Sequence, residues 1–168
     1  RIRTHGHVLI WGNRRWHHPE WLPDFMTPEE RVRWDGFFTP DGRLTDEYPR
    51  MGLDELERTF ARYADTLEYL YDKRIRDIAA RYGERIDSWD VVNESATDEE
   101  RGVILPGRRL CKSGYGLMPG DYPYRALKSA EKHFSAGVAL NINDYRREPV
   151  YARQVNELLR RGCKIDIM

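Results

Sequence analysis

The sequence predicts an α/β protein built on parallel strands, and three observations carry that prediction. Short apolar runs alternate with longer amphipathic stretches, in the order strand, helix, strand, helix, strand, helix, strand. Each strand-like run is too short and too apolar for a surface strand, as expected of strands buried on both faces. Each ends in polar side chains: Asn13, then Asn93-Glu94, then Asn143-Asp144. Such residues gather on the carboxyl edge of a parallel sheet, where α/β proteins keep their sites. Periodicity alone does not separate a barrel piece from an open sheet.

His7–Trp11 reads as the first buried strand, ended by Gly12 and Asn13. Residues 13–50 are punctuated by Pro19, Pro23, Pro28, Pro40, Gly42 and Pro49. They read as a long loop, and a loop of that length in a compact domain is usually functional. Within it Pro28–Arg33 forms a short helix, with Thr27 as N-cap and Glu30 closing a capping box. A long amphipathic helix follows, carrying Leu53, Leu56, Phe60, Tyr63, Leu67, Leu70, Ile75, Ile78 and Tyr82 on one side. Asp54 with Glu57 is expected to cap its start and Gly83 its end, with a break near Tyr71–Lys73.

Ile86–Glu94 is the second strand, with Trp89, Val91 and Val92 as β-formers. Residues 95–120 read as a second polar loop. Asp121 then caps a helix with Pro123 in its first turn. Val138–Asp144 is the third strand. Pro149 opens a helix closed by Gly162, and Ile165–Met168 begins a fourth strand.

Composition narrows the function. Twenty-eight basic and 28 acidic residues leave a formal charge of zero, which gives no broad footprint for nucleic acid or anionic membrane. No apolar run is long enough for a membrane span, and no phosphate-binding glycine motif is present. Aromatic residues make up 12%, compatible with sugar stacking though packing accounts for most of them. Cys111 and Cys163 make no disulfide framework and are expected as free thiols. The N-terminus is not a signal peptide, and both ends read as cuts in a longer chain.

Glu94 sits where strand meets loop. Partial burial there raises a carboxyl pKa and suits general acid work. On position alone, an ion pair or a cap for the next turn is an equal reading. His7 and Trp11 are four apart on a strand and share a face. They suit a sugar ring, or plain core packing. His5-Gly6-His7 also places two imidazoles as potential ligands of one metal, as in metal-dependent barrel hydrolases, but the further ligands are incomplete. Asn143 and Asp144 suit sugar hydroxyls, or an Asx-turn leaving the strand.

Taken together, Gly6-His7-Val8-Leu9-Ile10-Trp11, Trp89-Asp90-Val91-Val92-Asn93-Glu94 and Asn143-Asp144-Tyr145 resemble glycoside hydrolase family 10, the endo-β-1,4-xylanase family. The resemblance spans nearly all of the chain. It implies a partial (β/α)8 TIM barrel, strands three to six, with residues 1–168 as one piece of a single catalytic barrel truncated at both ends.

It also implies a retaining mechanism with no cofactor and no metal, acting on xylan or a related plant polysaccharide, in a secreted or cell-surface protein. Glu94 matches the general acid/base. His7, Trp11, Asn93, Asn143 and Tyr145 match substrate-binding positions, with Asp90 and Asp144 in support. The family's nucleophile is a glutamate on strand seven, outside this chain. Three departures stand out: Gly12, Asn13 and Arg14 replace the family's usual polar residues after Trp11, the loop from Trp16 to Arg50 is long, and Arg146 follows Tyr145. The rival readings are a non-catalytic carbohydrate-binding relative, the metal-dependent hydrolase using His5 and His7, and a barrel piece with no function of its own.

Overall fold

The computed structural model describes residues 2–12, 19–41, 43, 45, 50–96, 98, 106–113, 116–146 and 149–166. Asn13 and Arg14 therefore lie outside the described residues, as does part of each long loop.

The predicted α/β class holds. Strand β3 (Ser88–Asn93) is central and parallel to all its neighbours. On one side it pairs with two short segments, β1 (His5–Gly6) and β2 (Ile10–Trp11), and on the other with β6 (Ala139–Asn143). The helices α3 (Ala61–Tyr82), α4 (Tyr122–His133) and α5 (Pro149–Arg160) supply the apolar faces that cover the sheet. Trp89, Val91 and Val92 of β3 are all buried in that core, and the pairing with β6 shifts register between Asp90 and Val92. Cys111 and Cys163 are buried free thiols.

The first strand departs from the single run expected over His7–Trp11. Leu9 N–H still donates to Asp90 O (3.0 Å), so the chain stays beside β3. The carbonyls of Leu9 and Val8 instead accept from the Arg74 guanidinium at 2.6 and 3.3 Å. A side chain of α3 thus takes backbone groups that would otherwise belong to a continuous strand.

Within the first loop, Leu22–Phe25 forms a 3-10 turn and α1 (Pro28–Gly36) runs past the expected end at Arg33. The capping box is present: Thr27 N–H donates to Glu30 (2.9 Å) and Glu30 N–H to Thr27 (3.2 Å). The other Glu30 oxygen accepts from the N–H groups of Arg62 and Tyr63, at 3.0 and 3.1 Å. One buried carboxylate therefore satisfies orphan donors at the starts of two helices.

This explains where the long helix breaks. It divides at Phe60 into α2 (Leu53–Thr59) and α3, not near Tyr71–Lys73. Phe60 is fully buried against Trp34, Phe37 and Tyr63, and α3 restarts on the Glu30 cap. Asp54 and Glu57 do not cap α2. Its N-cap is Gly52, while Asp54 pairs with Arg108 and Glu57 accepts from Arg109 N–H (2.8 Å).

The second loop contains an antiparallel hairpin, β4 (Leu110–Ser113) with β5 (Gly116–Pro119). Cys111 and Met118 face each other in the core beneath the sheet. Leu110 and Leu117 face a second core formed with Leu22, Trp34, Phe37, Leu56, Phe60 and Leu67. Tyr71 packs against both cores, its hydroxyl 2.9 Å from Met118 Sδ.

Asp121 stands before α4 with φ 54° but makes no capping bond. Its carboxylate binds Arg161, one of the two bonds being 2.9 Å, and Arg161 also lies 3.8 Å over the Tyr124 ring. The expected strand at Ile165–Met168 is not formed over Ile165–Asp166, although Asp166 N–H reaches Leu140 O at 2.8 Å. Residues 167–168 lie outside the described residues.

Candidate active site at the carboxyl edge of the sheet

Parallel pairing sets Trp11 beside Asn93 and Asn93 beside Asn143, so three strands deliver their last residues to one edge. Asn93 is buried, and its Oδ1 accepts from Asn143 Nδ2 at 2.9 Å. Glu94 follows at once, with φ 55°. That turn is fixed by Glu94 N–H donating to Asn143 O (2.8 Å). The Glu94 carboxyl is half-buried and has no partner among the described residues.

Below this edge, His7 Nδ1 lies 2.9 Å from Asp90 Oδ2, and the His7 and Trp11 rings meet edge to face at 6.1 Å. The two residues expected to share a face do so. Asp144 does structural work: its Oδ1 accepts from Arg146 N–H (2.8 Å), the Asx-turn, and its Oδ2 from Ala96 N–H (3.0 Å). It thereby ties the loop after Glu94 to the end of β6. Tyr145 is 69% exposed and stands apart from this cluster.

Several residues of the site escaped the sequence reading. Tyr151 on α5 donates to Ile142 O (2.8 Å), and its phenol is pushed above its ordinary value by burial and then by the Asp144 and Asp90 carboxylates. Tyr122 donates to the buried Asp98 (2.7 Å), and burial with that carboxylate holds its hydroxyl well above the usual range. Ser95 donates to Gln154 Oε1 (3.0 Å), both fully buried. The signal available for Tyr151 was its place on the inner side of a helix opened by Pro149. Asp98 and Tyr122 lie 24 residues apart, beyond any local pattern.

Gly12 has a structural explanation. Ser113 Oγ donates to Gly12 O (3.0 Å), clamping the hairpin to the end of β2. A Cβ on Gly12 would meet Met118 Cε at 3.3 Å and Tyr122 Oη at 3.4 Å, so these side chains fill the space beyond Trp11.

Among the described residues no group of three or more His, Cys, Asp or Glu side chains is arranged to hold an ion. The His5 and His7 imidazoles instead converge on one Asp90 oxygen, each at 2.9 Å.

Comparison with known proteins gives a consistent picture. Residues 1–168 match the family model described as Glycosyl hydrolase family 10. A curated relative, endo-1,4-beta-xylanase A of Halalkalibacterium halodurans, is 29% identical over 166 residues, covering 95% of this chain and 34% of that protein. Among solved structures, xylanase B of Clostridium stercorarium F9 aligns with TM-score 0.56 and 22% identity, over 98% of this chain and 42% of that one. A family 10 structure from Paenibacillus barcinonensis aligns with TM-score 0.57 and 22% identity, over 98% and 41%. A Clostridium thermocellum endo-1,4-beta-D-xylanase solved with xylohexaose aligns with TM-score 0.55 and 17% identity, over 97% and 29%. The chain thus spans well under half the length of each of these relatives.

Proposed function

The chain belongs to glycosyl hydrolase family 10 and forms part of a (β/α)8 barrel, and from that premise we propose that it carries the acid/base half of a retaining enzyme that cleaves internal β-1,4 bonds of xylan. The observation that carries this reading is the Asn93-Glu94 step at the carboxyl end of β3, held by Asn143 from the neighbouring strand. The Glu94 carboxyl has no partner among the described residues and stands at the strand-end position where barrel enzymes do chemistry.

In this mechanism Glu94, as the neutral acid, gives its proton to the glycosidic oxygen as the bond to the sugar breaks. The second carboxylate attacks the anomeric carbon and forms a glycosyl-enzyme. Glu94, now ionised, takes a proton from water as that water releases the sugar. Asn93 and Asn143 bind sugar hydroxyls beside the cleaved bond, and His7 with Trp11 holds the ring on the adjoining strand. A retaining pair needs its carboxyl groups about 5–5.5 Å apart. The nucleophile is a strand-seven glutamate supplied from outside residues 1–168, and this chain by itself does not turn over xylan.

The substrate is a xylan-type polysaccharide, a choice supported by the curated relative's name and by the xylohexaose-bound neighbour. The protein works outside the cell, where such polymers are found. No helix among the described residues is long and apolar enough to cross a membrane.

The test is Glu94→Ala in the intact enzyme. General acid catalysis is worth roughly 10²–10⁴-fold, so hydrolysis of xylan should fall by that factor. Aryl glycosides with activated leaving groups, which need no acid, should still form the glycosyl-enzyme. Equal loss on both substrates would remove Glu94 from the acid role. A carbohydrate-binding relative without activity would show no turnover on either substrate even before mutation.

A further inference from the structure

The His5-Gly6-His7 motif is only half used by the reading above, which takes His7 and leaves His5. The register β1–β3 sets His5 beside Ser88 and Gly6 beside Trp89. Alternate residues share a face, so His5, His7, Ser88 and Asp90 form a block of four polar side chains on one side of two strands. Gly6 makes this block possible, since Trp89 packs where any Cβ would stand.

The contacts within the block are specific. His5 Nδ1 lies 2.7 Å from Ser88 Oγ, and His5 Nε2 lies 2.9 Å from Asp90 Oδ2. His7 Nδ1 reaches the same Asp90 oxygen, also at 2.9 Å. The Asp90 side chain is only 11% exposed, so its oxygens depend on protein partners. A protonated carboxyl could give its one proton to a single ring. An ionised carboxylate accepts from both, and is the state in which both nitrogens are satisfied. His7 Nδ1 is then the donor. In the neutral ring Nε2 is left as an acceptor, and it has no partner among the described residues.

We propose that His5 is a positioning residue: its own ring steadied by Ser88, it holds the Asp90 carboxylate, which fixes His7 as the Nδ1–H tautomer and presents His7 Nε2 to a sugar hydroxyl as an acceptor. The role of the presented nitrogen rests on the sugar-binding reading of His7, whereas the tautomer itself does not. His5 acts from the far side of the shared oxygen. It limits rotation of the carboxylate and keeps water from competing for it, as outer partners do for other functional histidines.

The experiment separates the two layers. Nitrogen-15 NMR of the His7 ring, in the intact protein without sugar, reads the tautomer directly. Wild type should show His7 protonated at Nδ1. His5→Ala should shift the tautomer ratio toward Nε2–H by about tenfold, the scale of losing a contact to a charged group. His5→Gln, whose amide nitrogen stands near the position of His Nε2, should restore the wild-type ratio. A His7 ratio unchanged by His5→Ala, or a wild-type ring protonated at Nε2, overturns the proposal. Retained amide dispersion in both variants shows that the effect is not loss of fold. Xylo-oligosaccharide binding is measured on the same samples. Loss of the tautomer effect with binding intact rejects the His5 role alone, and a tautomer effect without any sugar binding in wild type rejects the functional reading of His7 alone.

Discussion

Replacing Gly6 by alanine is the sharpest test of how the two strands fit together. A Cβ on Gly6 would stand within 2.5 Å of Trp89 ring carbons. Carbon atoms pack at about 3.5–4 Å, so the shortfall is at least about 1 Å. The indole cannot easily retreat. It is 7% exposed and is backed by Phe134, whose ring centroid lies 5.9 Å away. Separating the strands instead would open the His5–Ser88 and Gly6–Trp89 register. Overpacking typically costs about 1–3 kcal/mol, and with both escapes blocked Gly6→Ala should cost about 3 kcal/mol. Urea unfolding of the intact protein measures this. Gly137→Ala is the control, since a Cβ there meets nothing within 4 Å, and should stay within about 0.5 kcal/mol of wild type. In a Trp89→Leu background the Gly6→Ala cost should fall below about 1 kcal/mol, because the clashing atoms are gone. An unchanged midpoint for Gly6→Ala, or a cost that persists without the indole, would refute the reasoning.

Asp121→Ala leaves the half-buried Arg161 without its anion, with the Tyr124 ring still against it, and should destabilise by about 1–3 kcal/mol in the same denaturation assay. Burial, with a smaller push from Glu131, raises the Cys163 thiol from 9.0 to about 11. The folded state then keeps a proton that the unfolded state gives up, so its contribution is full below pH 9 and is lost between pH 9 and 11. Stability measured across that window should decline less steeply in Cys163→Ala, and native Cys163 should resist alkylation at pH 8. Among the described residues no further strand pairs with β1–β2 or with β6 on their outer sides, so melting of the isolated 168-residue chain should depend on protein concentration. A sharp, concentration-independent monomer melt would contradict that.

The sheet was legible because its information is local. Trp89-Asp90-Val91-Val92 is extended by propensity, and the His7 and Trp11 rings meet as their four-residue spacing suggested, although the chain between them is not a continuous strand. The capping box at Thr27 and Glu30 lies within four residues and was readable for the same reason. What escaped depends on distant partners. The helix breaks at Phe60 because Glu30, some thirty residues upstream, caps the next turn. The first strand divides because Arg74 of α3 takes its carbonyls. Asp121 resembled an N-cap by sequence, yet Arg161 claims its carboxylate. At the site, the strand-end amides and Glu94 were visible as residues, but the shared oxygen of Asp90 was not. Two histidines two apart left a metal-binding alternative open, whereas in the structure both rings reach one oxygen of Asp90 on the opposite strand.

The β4–β5 hairpin sends Cys111 and Met118 into one core and Leu110 and Leu117 into the other. It is a party wall, one strand layer thick, with a furnished room on either side. The two rooms therefore cannot be emptied one at a time without stripping a face of the same backbone. Local opening of either should release the hairpin amides together. Hydrogen exchange along residues 110–113 and 116–118 would then report the weaker of the two cores, and a cavity cut on one side would be felt as faster exchange on the other. Because Ser113 also holds Gly12 just past the end of β2, the carboxyl edge of the sheet inherits its rigidity from a wall that neither core owns.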